Sequence, residues 1–214
     1  MAALGQAKTL GGVGALLALI GPFLGTPGAI IAIVGYVLVL IAVKNVSEIF
    51  QDQAIFNHML IAVILLAVGL VSLAAIVLGA FYSFIGLGGF SFTPGSPPPA
   101  SLFQFITTII IGAVIAWVFF LIASIFLKKS YDTIGARLNI GTFHTTGLLF
   151  LIGAALVIVF GIGLIIVFIA EILQIVAFFS IPEQMPMGPQ PMPGQMGVPP
   201  PPPSGTMLSE NQQS

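Results

Sequence analysis

The chain has 214 residues, 58% of them hydrophobic and 5% charged, with a formal net charge of −1 and no cysteine. Soluble domains carry about 25% charged residues, so this composition cannot cover a water-facing surface and predicts an all-α integral membrane protein. The charge balance leaves no basic face for nucleic acid, and the missing cysteines exclude disulfides, thiolate metal sites and thiol redox chemistry.

In chain order, "MAALGQAKTLGGVGALLALIG" places one lysine before an apolar run, as a signal peptide does. The apolar character resumes after a turn, with no small-residue cleavage site, so this segment is expected to remain a membrane helix. Four apolar blocks follow, 9–43, 59–85, 102–127 and 147–179. A span takes about 20 residues, and the two central blocks fit one each. The outer two would make rods of roughly 50 Å across a hydrocarbon core about 30 Å thick. Each has a breaker near its midpoint. In the first it is "GPFLGTPG", where Pro27 and Gly28 suit the inner positions of a type II turn. In the last it is "GIG", Gly161 to Gly163. Both blocks therefore predict helical hairpins, which gives six membrane segments: two terminal hairpins flanking a central helix pair. A four-span arrangement stays open as the alternative.

The charges weigh on that choice. With six segments, Lys8, Lys44, Lys128, Lys129 and Arg137 share one side, while 24–28, 84–101 and 161–163 carry no charge. The positive-inside rule then puts both termini in the cytoplasm of a multi-pass protein of the cell membrane. Four spans would move Lys8 and the tail outside. The "NVS" sequon at 45–47 falls on the inner side and is read as chance. The linkers "KNVSEIFQDQAIFNH" and "KKSYDTIGARLNIGTFHTT" mix aromatics with charge, as short helices in the interface would. The outer loop, "IGLGGFSFTPGSPPPAS", is expected to be extended, with Tyr82, Phe84, Phe90 and Phe92 forming an aromatic belt. A shift that brings Thr9 onto Thr145, Ala18 onto Ala154 and Gly25 onto Gly161 aligns the two hairpins without a gap. In sequence this rich in glycine, alanine and isoleucine such matches come cheaply.

Residues 1–181 form the expected membrane domain, and 182–214 a disordered Pro/Met/Gln-rich cytoplasmic tail. Its "PPPPP" run suits a proline-binding partner or is simply a solvated, stiff stretch. Met185, Met187, Met192 and Met196 lack the His or Cys partners of a soft-metal site, so no metal and no cofactor is expected.

Gly14, Ala18, Gly21 and Gly25 make a stripe at helix-packing spacing, which lets backbones approach where lipid supplies no hydrophobic drive. Glu171 is the sharpest feature. It sits in "LIIVFIAEILQIVAFF", near the membrane midplane by rise per residue. An acid there costs roughly 2.5–3.5 kcal/mol on insertion scales, so it is expected to be the neutral acid and to face other helices. Gln174, one turn on, is the nearest hydrogen-bond partner, with Thr107, Thr108, Ser72 and Tyr36 as others. Glu171 and Gln174 read either as an ion site or as interhelical glue worth about 0.6 kcal/mol per bond. No spacing of nucleophile, acid pair or metal ligands marks an enzyme, and His58 and His144 read as membrane-boundary residues.

"AKTLGGVGALLALIG", "SEIFQDQAIFNHML" and "KKSYDTIGARLNIGTFHTTGLLFLIGAAL", followed by "AFFSIP", resemble an archaeal membrane-protein family catalogued as domain of unknown function 996. The resemblance covers about residues 6–182 and implies an archaeal cell membrane. It implies no activity and carries over no functional residue. The long outer loop and the tail depart from the family's compact form. The leading expectation is a structural or accessory membrane protein, in contact with lipid and with other membrane proteins or further copies of itself. The alternative is a small proton or cation carrier or channel that uses Glu171.

Overall fold

A chain with so few polar side chains must satisfy its backbone internally, and helices do this without a partner strand. The computed structural model describes residues 2–86, 100–159 and 161–183. These form six α-helices: α1 (Ala2–Ile20), α2 (Thr26–Ile49), α3 (Gln53–Gly86), α4 (Ala100–Leu138), α5 (Gly141–Leu156) and α6 (Ile162–Phe179). Five are long and apolar enough to cross a membrane, and α5, at 16 residues, is a shorter apolar helix. The proline-rich tail and most of the expected outer loop lie outside the described residues, as do Phe90 and Phe92.

Both outer blocks are broken, but the first break is not the expected type II turn. A 3₁₀ turn, Gly21–Leu24, leads to Gly25 at φ 67°, and Pro27 and Gly28 already belong to α2. Pro27 sits in the first turn of α2, where the missing N–H has no acceptor to lose, and Pro22 lies in the 3₁₀ turn that follows α1 directly. The reversal therefore falls on Gly25, which reaches a positive φ without strain. The second hairpin uses Gly161 in the same way, at φ 73°. The shift that aligned the two hairpins thus superposes their turn glycines. Both hairpins start from the same end of the molecule.

The linkers also differ from expectation. Neither forms a separate interfacial helix: "KNVSEI" continues α2 and "KKSYDTIGARL" continues α4. No proline interrupts either run, so the hydrogen-bond ladder simply propagates. Each run ends at a polar residue in left-handed conformation, Gln51 at φ 51° and Asn139 at φ 56°. The next N–H then folds back on the last turn, Asp52 to the Ser47 carbonyl at 3.0 Å and Ile140 to that of Gly135 at 2.9 Å.

Each helix packs antiparallel on the next, and α6 returns to α1, closing a six-helix ring. Small residues set the closest approaches. A Cβ on Gly14 would lie 2.7 Å from the Gly35 carbonyl oxygen, and one on Gly35 would lie 2.5 Å from the Ala18 nitrogen. Gly21 faces Gly28 and Ala32, while Gly25 contacts no other helix and serves the turn. Gly69 and Gly112 seat Phe119 and Ile76 in the α3–α4 pair, and Gly163 meets the backbone of α5. Trp117 ties α4 to α5, its indole N–H donating to the Ala154 carbonyl at 2.9 Å. Phe84, placed in the aromatic belt by sequence, is buried instead and stacks on Phe105 with ring centres 5.1 Å apart; Tyr82 is exposed.

Antiparallel succession gathers the five basic residues at one end, together with Glu48, Asp52, Asp132 and Glu183. Arg137 bonds Asp52 at 2.9 Å, Lys8 meets Glu183 at 3.4 Å, and Asp132 accepts from both Lys128 and His144. His58 is more recessed, its Nδ1 buried and its ring 6.0 Å from that of Phe126.

Candidate functional site: a chamber inside the helix ring

Ring closure leaves a cavity of about 380 Å³ between α2, α3, α4, α5 and α6. Its walls are mostly apolar, and its polar groups come from three helices. α6 buries Ala170, Gln174, Ala177 and Phe178 at helical spacing. Glu171, at the edge of that stripe, is half-buried and reaches the cavity beside Gln174. Tyr36 arrives from α2, and Ser124 and Tyr131 from α4, two turns apart on one face. Glu171 lies close enough to both phenols to interact electrostatically with each.

The floor of the cavity is dense. Tyr131, Phe143 and Phe178 are fully buried and meet edge to face, with ring centres 5.2–6.2 Å apart. Such pairs add about 0.5–1.5 kcal/mol each beyond area burial. Met59, Ile55, Ile134, Val43 and Val46 fill the space around and beneath them. The charged end is thereby closed off from the cavity.

The sides are looser. α2 and α3 form the loosest seam between consecutive helices. A groove of about 370 Å³ runs along it and shares Tyr36, Val63, Leu66 and Leu70 with the chamber. A second groove, of about 330 Å³, shares Leu66, Leu70, Phe120 and Leu164 and is walled by Trp117. Both openings lie among apolar side chains that face outward from the ring.

Polar satisfaction inside the chamber is incomplete. The Tyr131 hydroxyl is buried and has no hydrogen-bond partner. Leaving such a group unpaired costs about 1–3 kcal/mol. Ser124 donates to the Leu121 carbonyl at 2.7 Å, within its own helix. Gln174 is only 5% exposed. The structure thus brings Glu171 and Gln174 to one cavity, with Tyr36, but no hydrogen bond joins the carboxyl to the amide. Thr108 donates to the Gln104 carbonyl at 2.8 Å and lines a different cavity, of about 280 Å³, between α3 and α4. Ser72 and Thr107 do not line the chamber. Among the described residues, no group of three His, Asp or Glu side chains could hold a metal ion.

Sequence reasoning missed Tyr131 and Ser124. Tyr131 lies in "KKSYDT", read as part of an interfacial linker. The signal that reveals it is the helical spacing of Ala123, Ser124, Tyr131, Ile134 and Leu138, which crosses the lysine pair without a break.

Among known proteins, the chain is 34% identical over 180 residues to an uncharacterized protein of Methanocaldococcus jannaschii, a match spanning 84% of this chain and 94% of that one. No solved structure matches. A family described as a protein of unknown function, DUF996, matches residues 31–172, which take in Tyr36, Ser124, Tyr131 and Glu171. By both the family match and the archaeal relative, this chain belongs to the DUF996 family.

Proposed function

We propose that this protein is a multi-pass carrier of the cell membrane that binds a small solute or ion inside its helix ring, with Glu171 as the polar anchor. All six helices enter the bilayer, and the charged end faces the cytoplasm. The observation that carries the reading is the chamber itself. A scaffold needs only outward faces, whereas here residues bearing a carboxyl, two phenols and an amide line one cavity between the helices. Ionisable residues inside a membrane face the bundle interior or a cavity and mark ion and substrate paths. The dense floor and looser sides fit a protein that opens toward one phase at a time.

For the topology, the grouping of every basic residue at one end is the support. The α5 helix is short for a full crossing, about 24 Å at 1.5 Å per residue, and the turn at 157–159 extends it. Since the chain has no cysteine, single cysteines report cleanly. Ser101→Cys should react with a membrane-impermeant maleimide on intact cells, and Gln6→Cys only after lysis. Reaction of Gln6→Cys on intact cells favours four spans.

The carrier reading is tested with purified protein in liposomes. A proton or cation flux lost in Glu171→Gln is the expected result. Absence of any Glu171-dependent flux, with co-purification of a stoichiometric membrane partner, would return the protein to an accessory role.

A further inference from the structure

We infer that the chamber binds a lipophilic organic cation, which enters sideways from the lipid through the seam between α2 and α3. The inference rests on the carrier reading and names its substrate class.

The lining decides the charge. Facing Glu171 are Tyr36 from α2, Ser124 and Tyr131 from α4, and Gln174 from its own helix. α3 and α5 contribute apolar side chains only, such as Met59 and Phe150. No lysine, arginine or histidine lines the cavity, so an anionic ligand meets a carboxyl and nothing to neutralise it. A cation that displaces the carboxyl proton forms a neutral pair with Glu171, and the aromatic side chains of Tyr36, Phe120 and Phe150 on the same lining suit a diffuse positive charge. The walls are otherwise aliphatic, which calls for a bulky apolar body and disfavours a small hydrated ion. A volume of about 380 Å³ lies in the range of small-molecule pockets, about 300–1,000 Å³.

A second observation concerns a hydroxyl in the floor of the chamber. The Tyr131 hydroxyl is wholly buried and bonds to nothing among the described residues. A group meant only for packing would be phenylalanine there, as at Phe143 and Phe178 beside it.

The route follows from the seals. The aromatic trio and the aliphatic side chains around it close the charged end. The α2–α3 groove runs into the chamber wall at Tyr36, Val63, Leu66 and Leu70. A lipid-soluble cation can therefore reach Glu171 without crossing the packed floor.

The test uses the full chain in nanodiscs, with tetraphenylphosphonium as the probe and tetraphenylborate as its anionic counterpart of the same shape. Trp117, the single tryptophan, walls the second groove beside the chamber and serves as an optical reporter beside radiolabel binding. Saturable phosphonium binding is expected, with borate binding absent. Glu171→Gln should weaken phosphonium binding by about tenfold or more, and Tyr36→Phe by a few-fold. Glu183→Gln, at the charged end, should leave binding intact. Ala67→Phe, which narrows the groove only, should slow association and release together while affinity stays within about twofold. Equal binding of borate and phosphonium overturns the cation class. Unchanged affinity in both Glu171→Gln and Tyr36→Phe overturns the site, and unchanged rates in Ala67→Phe overturn the route. Glu171-dependent proton flux without phosphonium binding sinks this inference and leaves the carrier reading standing; absence of both removes both.

Discussion

The charged end of the ring and the half facing away from it share the same helices and are packed in opposite ways. At the charged end the helices converge on Tyr131, Phe143 and Phe178, with ion pairs linking α1 to the segment after α6 and α4 to the α2–α3 turn. In the other half, Phe168 meets the Phe23 ring with centres 6.2 Å apart and is 42% exposed, and α2 stands off α3. Stability is concentrated where the side chains interlock, and cavities collect where they do not. Glu171 sits at the border between the two. It can be held by the rigid half and served by the adaptable one.

Mutations at matched aromatic sites test that contrast most directly. Phe178→Ala should cost about 3–5 kcal/mol, as truncating a fully buried ring does. Phe168→Ala, at a ring 42% exposed, should cost less than about 1 kcal/mol. Unfolding in mixed micelles by detergent titration measures both, and equal losses would erase the distinction. Next in size is Gly28→Ala, whose new Cβ would collide with the Gly21 carbonyl; overpacking of that kind costs about 1–3 kcal/mol. Gly79→Ala, with open space around it, should be neutral or gain a few tenths of a kcal/mol in the same titration. Breaking the partly exposed pair with Arg137→Ala should lower stability by about 1 kcal/mol or less, and added salt should shrink the difference. The smallest expected effect is the most informative. Tyr131→Phe removes a buried hydroxyl without a partner, so stability should not fall and could rise by about 1 kcal/mol. A loss of stability there would mean that the hydroxyl belongs to the packing.

Much of the architecture was legible in residue order. The overlong apolar blocks with internal glycines implied hairpins, and the basic residues implied a shared end. The turn chemistry was less so, because Pro27-Gly28 is as well suited to opening a helix as to forming a turn, and Gly25 was available beside it. The linkers were misread for a related reason. Charge on "KKSYDT" signals an interface only if the helix stops there, and nothing in the run stops it. Phe84 was assigned to the aromatic belt by its position near a loop, yet its neighbour across the pair, Phe105, draws it inward. In the chamber, Glu171 and Gln174 stood out against their hydropathy. Tyr36 was one of several possible partners there, and Ser124 and Tyr131 did not stand out at all, since their convergence depends on which helices become neighbours.

That last dependence divides the two sources of information. Composition alone places the chain in a bilayer, because so few charged residues cannot solvate a surface, and the glycine-interrupted blocks make it double back. Which helix faces which is settled elsewhere. In lipid every apolar face is equally comfortable, so neighbours are chosen by close backbone approach at Gly14, Gly35 and Gly163, by the side chains seated on Gly69 and Gly112, and by the interlocking of a few rings. Only once α6 has come round to α1 does Glu171 turn from an acid in an apolar helix into the polar wall of a chamber.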